Sequence, residues 1–189
     1  SCGGAILPID PPWLVNHLEV KKIINDAETA VRDGAEFVIV SLHWGKAYSS
    51  EISASQEEVI NKLLSSDSVD LIVGHGAHVI QPVLRISNKY AVAGIGNFLS
   101  NQPGDERRLC SQCPESTQDG MITWFNISEF PDGNISVTDA GYVPTWVDRS
   151  TYEIVPIGVS EPDNVEPADI RRSENRTSGV IGEDLRRLV

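Results

Sequence analysis

Apolar and polar positions follow two periods in turn over the first hundred residues. From Glu19 onward, Val20, Ile23, Ile24, Ala27, Ala30 and Val31 recur at spacings of three and four, with Lys21, Lys22, Asp26 and Arg32 elsewhere. That is the stripe of an amphipathic helix. Asn16 stands where an N-cap belongs, and Gly34 where a C-terminal cap glycine belongs. The continuous apolar run from Phe37 to Leu42 predicts a buried strand. Ser53 and Gln56 match a capping box, and Gln56, Val59, Ile60, Leu63 and Leu64 carry a second amphipathic helix to about Ser66. Asp70–Val73 is the next strand. Helix, strand, helix, strand over residues 19–73 implies a parallel pair joined by a right-handed crossover, so both strands end on one edge of the sheet.

From residue 79 the pattern changes. Val83–Ile86 and Tyr90–Ile95 flank Ser87-Asn88-Lys89, and Met121–Phe130 and Asn134–Trp146 flank Pro131-Asp132-Gly133. Both read as hairpins. Residues 1–15, with Pro8, Pro11 and Pro12, read as an irregular lead-in, and residues 101–119 as a long polar surface loop. Residues 167–188 are either a short terminal helix or without fixed structure. The fold class expected is α/β, a parallel βαβ core continued by antiparallel hairpins.

The chemistry gathers where strands give way to glycine-containing loops. One such place is His43-Trp44-Gly45; the other is Gly74-His75-Gly76-Ala77-His78. In α/β sheets, ligands bind in the crevice beyond the carboxyl ends of the strands. Imidazoles gathered there suit a transition metal or a phosphate. The alternative is loop histidines satisfied by backbone hydrogen bonds. Trp44 is either core or a wall of a substrate cleft. Asn97, after Gly96 at a strand end, either bonds a substrate or holds the His75 loop. His17, beside the capping Asn16, reads as part of a helix start.

Composition narrows the partners. The chain has 189 residues, 40% of them hydrophobic, which suits one domain, or one domain (1–150) with a partly irregular C-terminal extension (151–189). Fifteen Lys and Arg face 27 Asp and Glu, a net charge of -12, without a basic stripe; the chain reads as a poor binder of nucleic acid and of anionic membranes, and no nucleic-acid partner is expected. No apolar run approaches the roughly 20 residues of a membrane span. Ser1-Cys2-Gly3-Gly4 reads as an engineered start or an internal cut, so any export signal or anchor is expected outside this chain. Cys110 and Cys113 have metal-knuckle spacing but lack a second pair, so a four-ligand zinc site is not supported. A local disulfide and two free thiols both remain open.

Three motifs carry a family resemblance. Ser41-Leu42-His43-Trp44-Gly45 resembles the SLHWG signature of the bacterial capsule-biosynthesis (CapA-type, poly-γ-glutamate synthesis) proteins. Gly74-His75-Gly76-Ala77-His78-Val79-Ile80-Gln81-Pro82 resembles their GHHPHVLQP signature, and Gly94-Ile95-Gly96-Asn97-Phe98 their SLGNF signature. Gln56 also fits the pattern, and order and spacing agree over roughly residues 20–100. The family is similar to the calcineurin-like metallophosphatases, layered α/β sandwiches with a two-metal centre. The resemblance therefore implies His43, His75 and His78 as metal ligands for a divalent ion (Mn, Zn or Fe), His43 and His78 also as catalytic groups, and Trp44 and Asn97 near substrate. It implies a metal-dependent hydrolase acting on a phosphoester or an envelope polymer, outside the cytoplasm and anchored through a missing N-terminal segment. The alternative is a non-catalytic binding or scaffold subunit of the same assembly.

The chain departs from the family in two ways. Gly76 and Ala77 stand where the family has His and Pro. The family's N-terminal Gly-Asp, Asn-Leu-Glu and Asn-Asn-His motifs have no counterpart here, and Gly104-Asp105 lies too far downstream to replace the first. The chain thus reads as the C-terminal half of the fold, inactive alone, with an apolar sheet edge or face that self-association or other subunits would cover.

Overall fold

The first apolar stripe folds as helix α1, Val20–Arg32, and the capping box starts α2, Ala54–Leu64. The structure, a computed structural model, describes residues 16–102, 110, 113–159, 165–183 and 185–188. The lead-in, most of the polar loop after residue 102, and Gly104-Asp105 lie outside the described residues. At α2 both halves of the box are made: Gln56 N–H donates to Ser53 Oγ (3.2 Å), and Ser53 N–H donates to Gln56 Oε1 (3.1 Å). At α1 the expected Asn16 cap is not formed. Glu19 occupies the N-cap without a side-chain bond, and the Asn16 side-chain Oδ1 accepts from Lys22 Nζ at 2.8 Å instead. The other end follows expectation. Gly34, at φ +105°, lets its N–H reach Val31 O while the Ala35 N–H reaches Ala30 O. This pair of bonds satisfies the last carbonyls of the helix.

The first sheet holds β1 (Ile39–His43), β2 (Leu71–His75), β3 (Ile80–Ile86) and β4 (Lys89–Ile95) in the order β1-β2-β4-β3. β1, β2 and β4 run parallel, and β3 is antiparallel to β4, as the first hairpin requires. The second sheet is antiparallel in β5 (Asp119–Glu129), β6 (Ile135–Asp148) and β7 (Glu153–Pro156), with β8 (Arg186–Arg187) parallel to β6. Pro167–Ile181 forms a helix, α3, and Arg186–Arg187 forms β8. Pro167 opens α3 at a position where its missing N–H costs nothing. The chain is a mixed α/β protein, a partial α/β sandwich with one parallel-based sheet and one antiparallel sheet. None of its described helices is long and apolar enough to cross a membrane.

Strand alternation sets the layers. Ile72, Ala91 and Ala93 face α1 and α2, where they meet Ala27, Ile60, Leu63 and Leu64. Leu71, Tyr90 and Val92 face the other way, toward Met121, Ala140 and Tyr142 of the second sheet and Ile181 of α3. Covering both faces explains why β2 and β4 read as near-continuous apolar runs. Each fully buried Ile or Leu of these clusters contributes about 1.5–3 kcal/mol relative to exposure. The second sheet does not cover β1 in this way: Ile39 is 56% exposed, and Ser41 and His43 on the same face are exposed too. The two sheets meet at a backbone bridge between Gly96 and Gly120. A Cβ on Gly96 would fall 2.4 Å from Asp119 O, and one on Gly120 2.5 Å from Asn97 O, so this crossing admits only glycine.

Candidate functional site

The parallel register of β1 and β2 pairs His43 with His75 at the last position of each strand. Both imidazoles thus leave the sheet at one rim, on the face where β1 is open. The two strand ends are tied by the Trp44 N–H, which donates to His75 O at 2.9 Å. Trp44 itself is 9% exposed within the helix-side core, and its indole N–H donates to Ala93 O at 2.9 Å. Of the two readings of Trp44, the structure places it in the core. Gly76, at φ +104°, lies so close to His43 that a Cβ there would come 2.9 Å from both His43 Nε2 and Trp44 O. The His43 ring fills the space beside the loop where the family carries a bulkier residue.

His78 is held differently. It has φ +62°, a left-handed conformation that non-glycine residues adopt only under constraint. Its Nδ1 lies 3.2 Å from Asn97 Oδ1. The Asn97 amide nitrogen is committed as a donor to Gln102 Oε1 (3.1 Å) and Thr117 O (2.9 Å). The oxygen therefore faces His78, and Nδ1 carries the proton. Nε2 is left as the lone-pair nitrogen, free to ligate or to accept a proton. Asn97 thus bonds His78, three residues beyond His75 on the loop it was read as holding. His78 and Asn97 also line an open cleft of about 550 Å³ together with Leu99, Ser100, Gln102 and Tyr152.

Two glutamines hold the loop between β1 and α2. Gln56 Nε2 donates to Gln81 Oε1 at 2.9 Å, and Gln81 Nε2 donates to Ser49 O and Glu51 O. Gln81 is fully buried. The loop comes back over the histidine turn, where the Tyr48 N–H donates to Ala77 O at 2.7 Å. Sequence reading placed Gln56 correctly but missed the Gln81 pairing, for which the only signal was its place in the GHGAHVIQP motif. It also missed Tyr48 and Gln102, which have no motif of their own. Cys110 and Cys113 form a disulfide with Cα atoms 5.3 Å apart, resolving the open alternative.

Burial, and secondly the positive charge that His43 can carry, hold the His75 imidazole below its usual pKa. His75 is therefore a neutral nitrogen donor at neutral pH, the form a metal ion requires. The donor set suits a borderline metal in kind and falls short in number. Among the described residues no group of three or more His, Cys, Asp or Glu side chains is placed to hold an ion. His43 and His75 come together, while His78 is turned toward Asn97. The remaining buried charges lie elsewhere. Asp119, 2% exposed, receives Arg176 Nε at 2.7 Å and a second guanidinium nitrogen at 2.9 Å.

Residues 7–102 match the family described as bacterial capsule synthesis protein PGA_cap. The chain is 26% identical over 133 residues to the PGA biosynthesis protein CapA of Bacillus subtilis (strain 168), a match covering 70% of this chain and 30% of that protein. It is 31% identical over 81 residues to the capsule biosynthesis protein CapA of Bacillus anthracis, covering 43% of this chain and 20% of that protein. The chain therefore spans less than a third of the length of the curated relatives it matches.

Proposed function

This chain belongs to the bacterial capsule synthesis family PGA_cap, and from that premise we propose that it serves the biosynthesis of an envelope polymer as the histidine-bearing half of a hydrolytic site. The observation that carries this reading is the pairing of His43 with His75 at one sheet rim, on the open face of β1. His43 and His75 would be the ligands this chain contributes, and a bound divalent ion would supply Lewis-acid polarisation of a phosphoryl or carbonyl oxygen. His75 stays neutral through burial and keeps its lone pair available. His78, fixed by Asn97 with Nε2 free, is placed to accept or return a proton. The acidic ligands would come from outside this chain, and the relatives' names point to work at the cell envelope.

Gly76, standing where the family pattern has a histidine, favours a second reading: a binding or scaffold subunit that keeps the cleft and not the chemistry. Metal titration by calorimetry, with turnover of a generic phosphodiester, separates the two. The expected outcome is weak manganese or zinc binding to this chain, lost in His43→Ala and in His75→Ala, without turnover. A family protein that carries acidic motifs together with these histidines is expected to hydrolyse the ester and to lose that activity when the histidine matching His75 is replaced by Ala. Such a protein binding no metal and turning over nothing sinks the hydrolase reading and leaves the scaffold.

A further inference from the structure

The hydrogen bonds beside the rim run in one direction from His78 to the disulfide. His78 Nδ1–H donates to Asn97 Oδ1, and Asn97 Nδ2 donates to Gln102 Oε1. Gln102 Nε2 donates to the Tyr48 hydroxyl at 3.2 Å, and that hydroxyl lies 3.1 Å from Sγ of Cys113 and 3.7 Å from Sγ of Cys110. A disulfide sulfur has no proton to give, so the hydroxyl is the donor there. Each group receives on one side and gives on the other, which polarises the row. The Tyr48 ring also packs on the His78 ring, with centroids 5.8 Å apart.

We propose that this relay makes the Cys110–Cys113 disulfide a redox-sensitive support for His78, with Tyr48 and Gln102 as positioning residues. Both ends of the clasp are strained. Tyr48 (φ +65°) and His78 (φ +62°) sit in the left-handed region, each costing about 1–3 kcal/mol unless its surroundings over-determine it. The surroundings that do so include the Tyr48 N–H to Ala77 O bond, the ring contact and the relay. A dithiol reductant delivers two electrons and two protons: the S–S bond breaks, Cys110 and Cys113 become thiols, and the dithiol closes to its own disulfide. The sulfurs then part from a bonded distance of about 2.0 Å, and each gains an S–H that can donate. The Tyr48 hydroxyl loses the fixed sulfur at this end of the relay, and the share of the strain which that contact held is released at His78. Of the two cysteines, Cys110 is half-buried and offers the reductant its way in, since Cys113 is buried.

The proposal rests on His78 belonging to the functional rim, yet its test reads His78 directly and no turnover. On the whole chain, the His78 imidazole nitrogens are followed by NMR, with assignment through His78→Gln, and the Tyr48 amide by hydrogen exchange. Reduction with dithiothreitol is expected to change His78 from a single Nδ1–H tautomer to an averaged pattern. It also speeds Tyr48 amide exchange about tenfold. Tyr48→Phe, with the disulfide intact, reproduces the His78 change, and reducing that variant adds nothing further. Exchange along the β5–β6 ladder stays slow throughout. If His78 and Tyr48 ignore reduction, or the effects of reduction and Tyr48→Phe simply add, the disulfide is only a local staple. Should reduction also speed the β5–β6 ladder, Tyr48→Phe decides alone, and an unmoved His78 in that variant overturns the proposal. Failure of metal binding leaves these readouts untouched, so the two readings fail separately.

Discussion

At Gly76 and Asp148 one residue sets a local energy that can be measured. Gly76→Ala places a Cβ 2.9 Å from Trp44 O, which cannot yield, and from His43 Nε2, which can, at a φ that alanine resists. The expected cost is about 1–3 kcal/mol in a urea titration, together with a displaced His43 imidazole signal. Asp148 offers a pH test away from the rim. Burial pushes its carboxyl up, but hydrogen bonds from Ser150 Oγ (2.7 Å), Ser150 N–H (2.8 Å) and Thr151 Oγ1 (3.0 Å) outweigh that and hold it below the usual carboxylate range. A carboxyl with a depressed folded pKa stabilises the fold above its unfolded pKa and loses that contribution as pH falls through the folded one. Asp148→Asn should therefore cost about 1 kcal/mol at neutral pH, and the gap to the parent chain should close as the pH is taken below the ordinary carboxylate range.

Among the elements, α2 carries two separable duties. Ser53→Ala removes the cap and should cost about 1 kcal/mol without loosening the histidine loops. Gln56→Ala removes the cap partner and also the donor to fully buried Gln81. It should cost about 1–3 kcal/mol and raise amide exchange over residues 45–51, where Gln81 holds two carbonyls. The capping box, the βαβ order and the histidine rim were legible in the sequence because each is written in neighbouring residues or in the spacing of apolar ones. Helix α3 was not. It turns Ser173 and Thr177 inward alongside Ile181, so small polar side chains stand where a periodic apolar stripe would have announced it. Asn16 misled for the opposite reason. Its residue type suits a cap, but it lies three residues upstream of Glu19, the true N-cap, and its side chain is taken by Lys22. The Tyr48 relay joins residues 54 and 65 apart, a distance at which single-sequence patterns say nothing.

Across the whole molecule, α3 packs on the first sheet through Ile181 and is tied to the second sheet by an ion pair. Arg176 bonds Asp119, 57 positions away along the chain, and the carboxylate is buried. Arg176→Met leaves that charge without its partner and should cost about 3 kcal/mol, while Asp119→Asn with Arg176→Met costs less than the single change. Thermal melts of the three variants check the order. The same closure by α3 governs when the chain can fold as it is synthesised. The helix-side core draws on nothing later than Ala93, whereas the inter-sheet core ends with Ile181 and Leu185. A nascent chain can therefore settle its first layer early, but Leu71, Tyr90 and Val92 stay incompletely covered until Ile181 and Leu185 have emerged. Its exposure to misassembly falls in that interval, after the His43–His75 rim is already built.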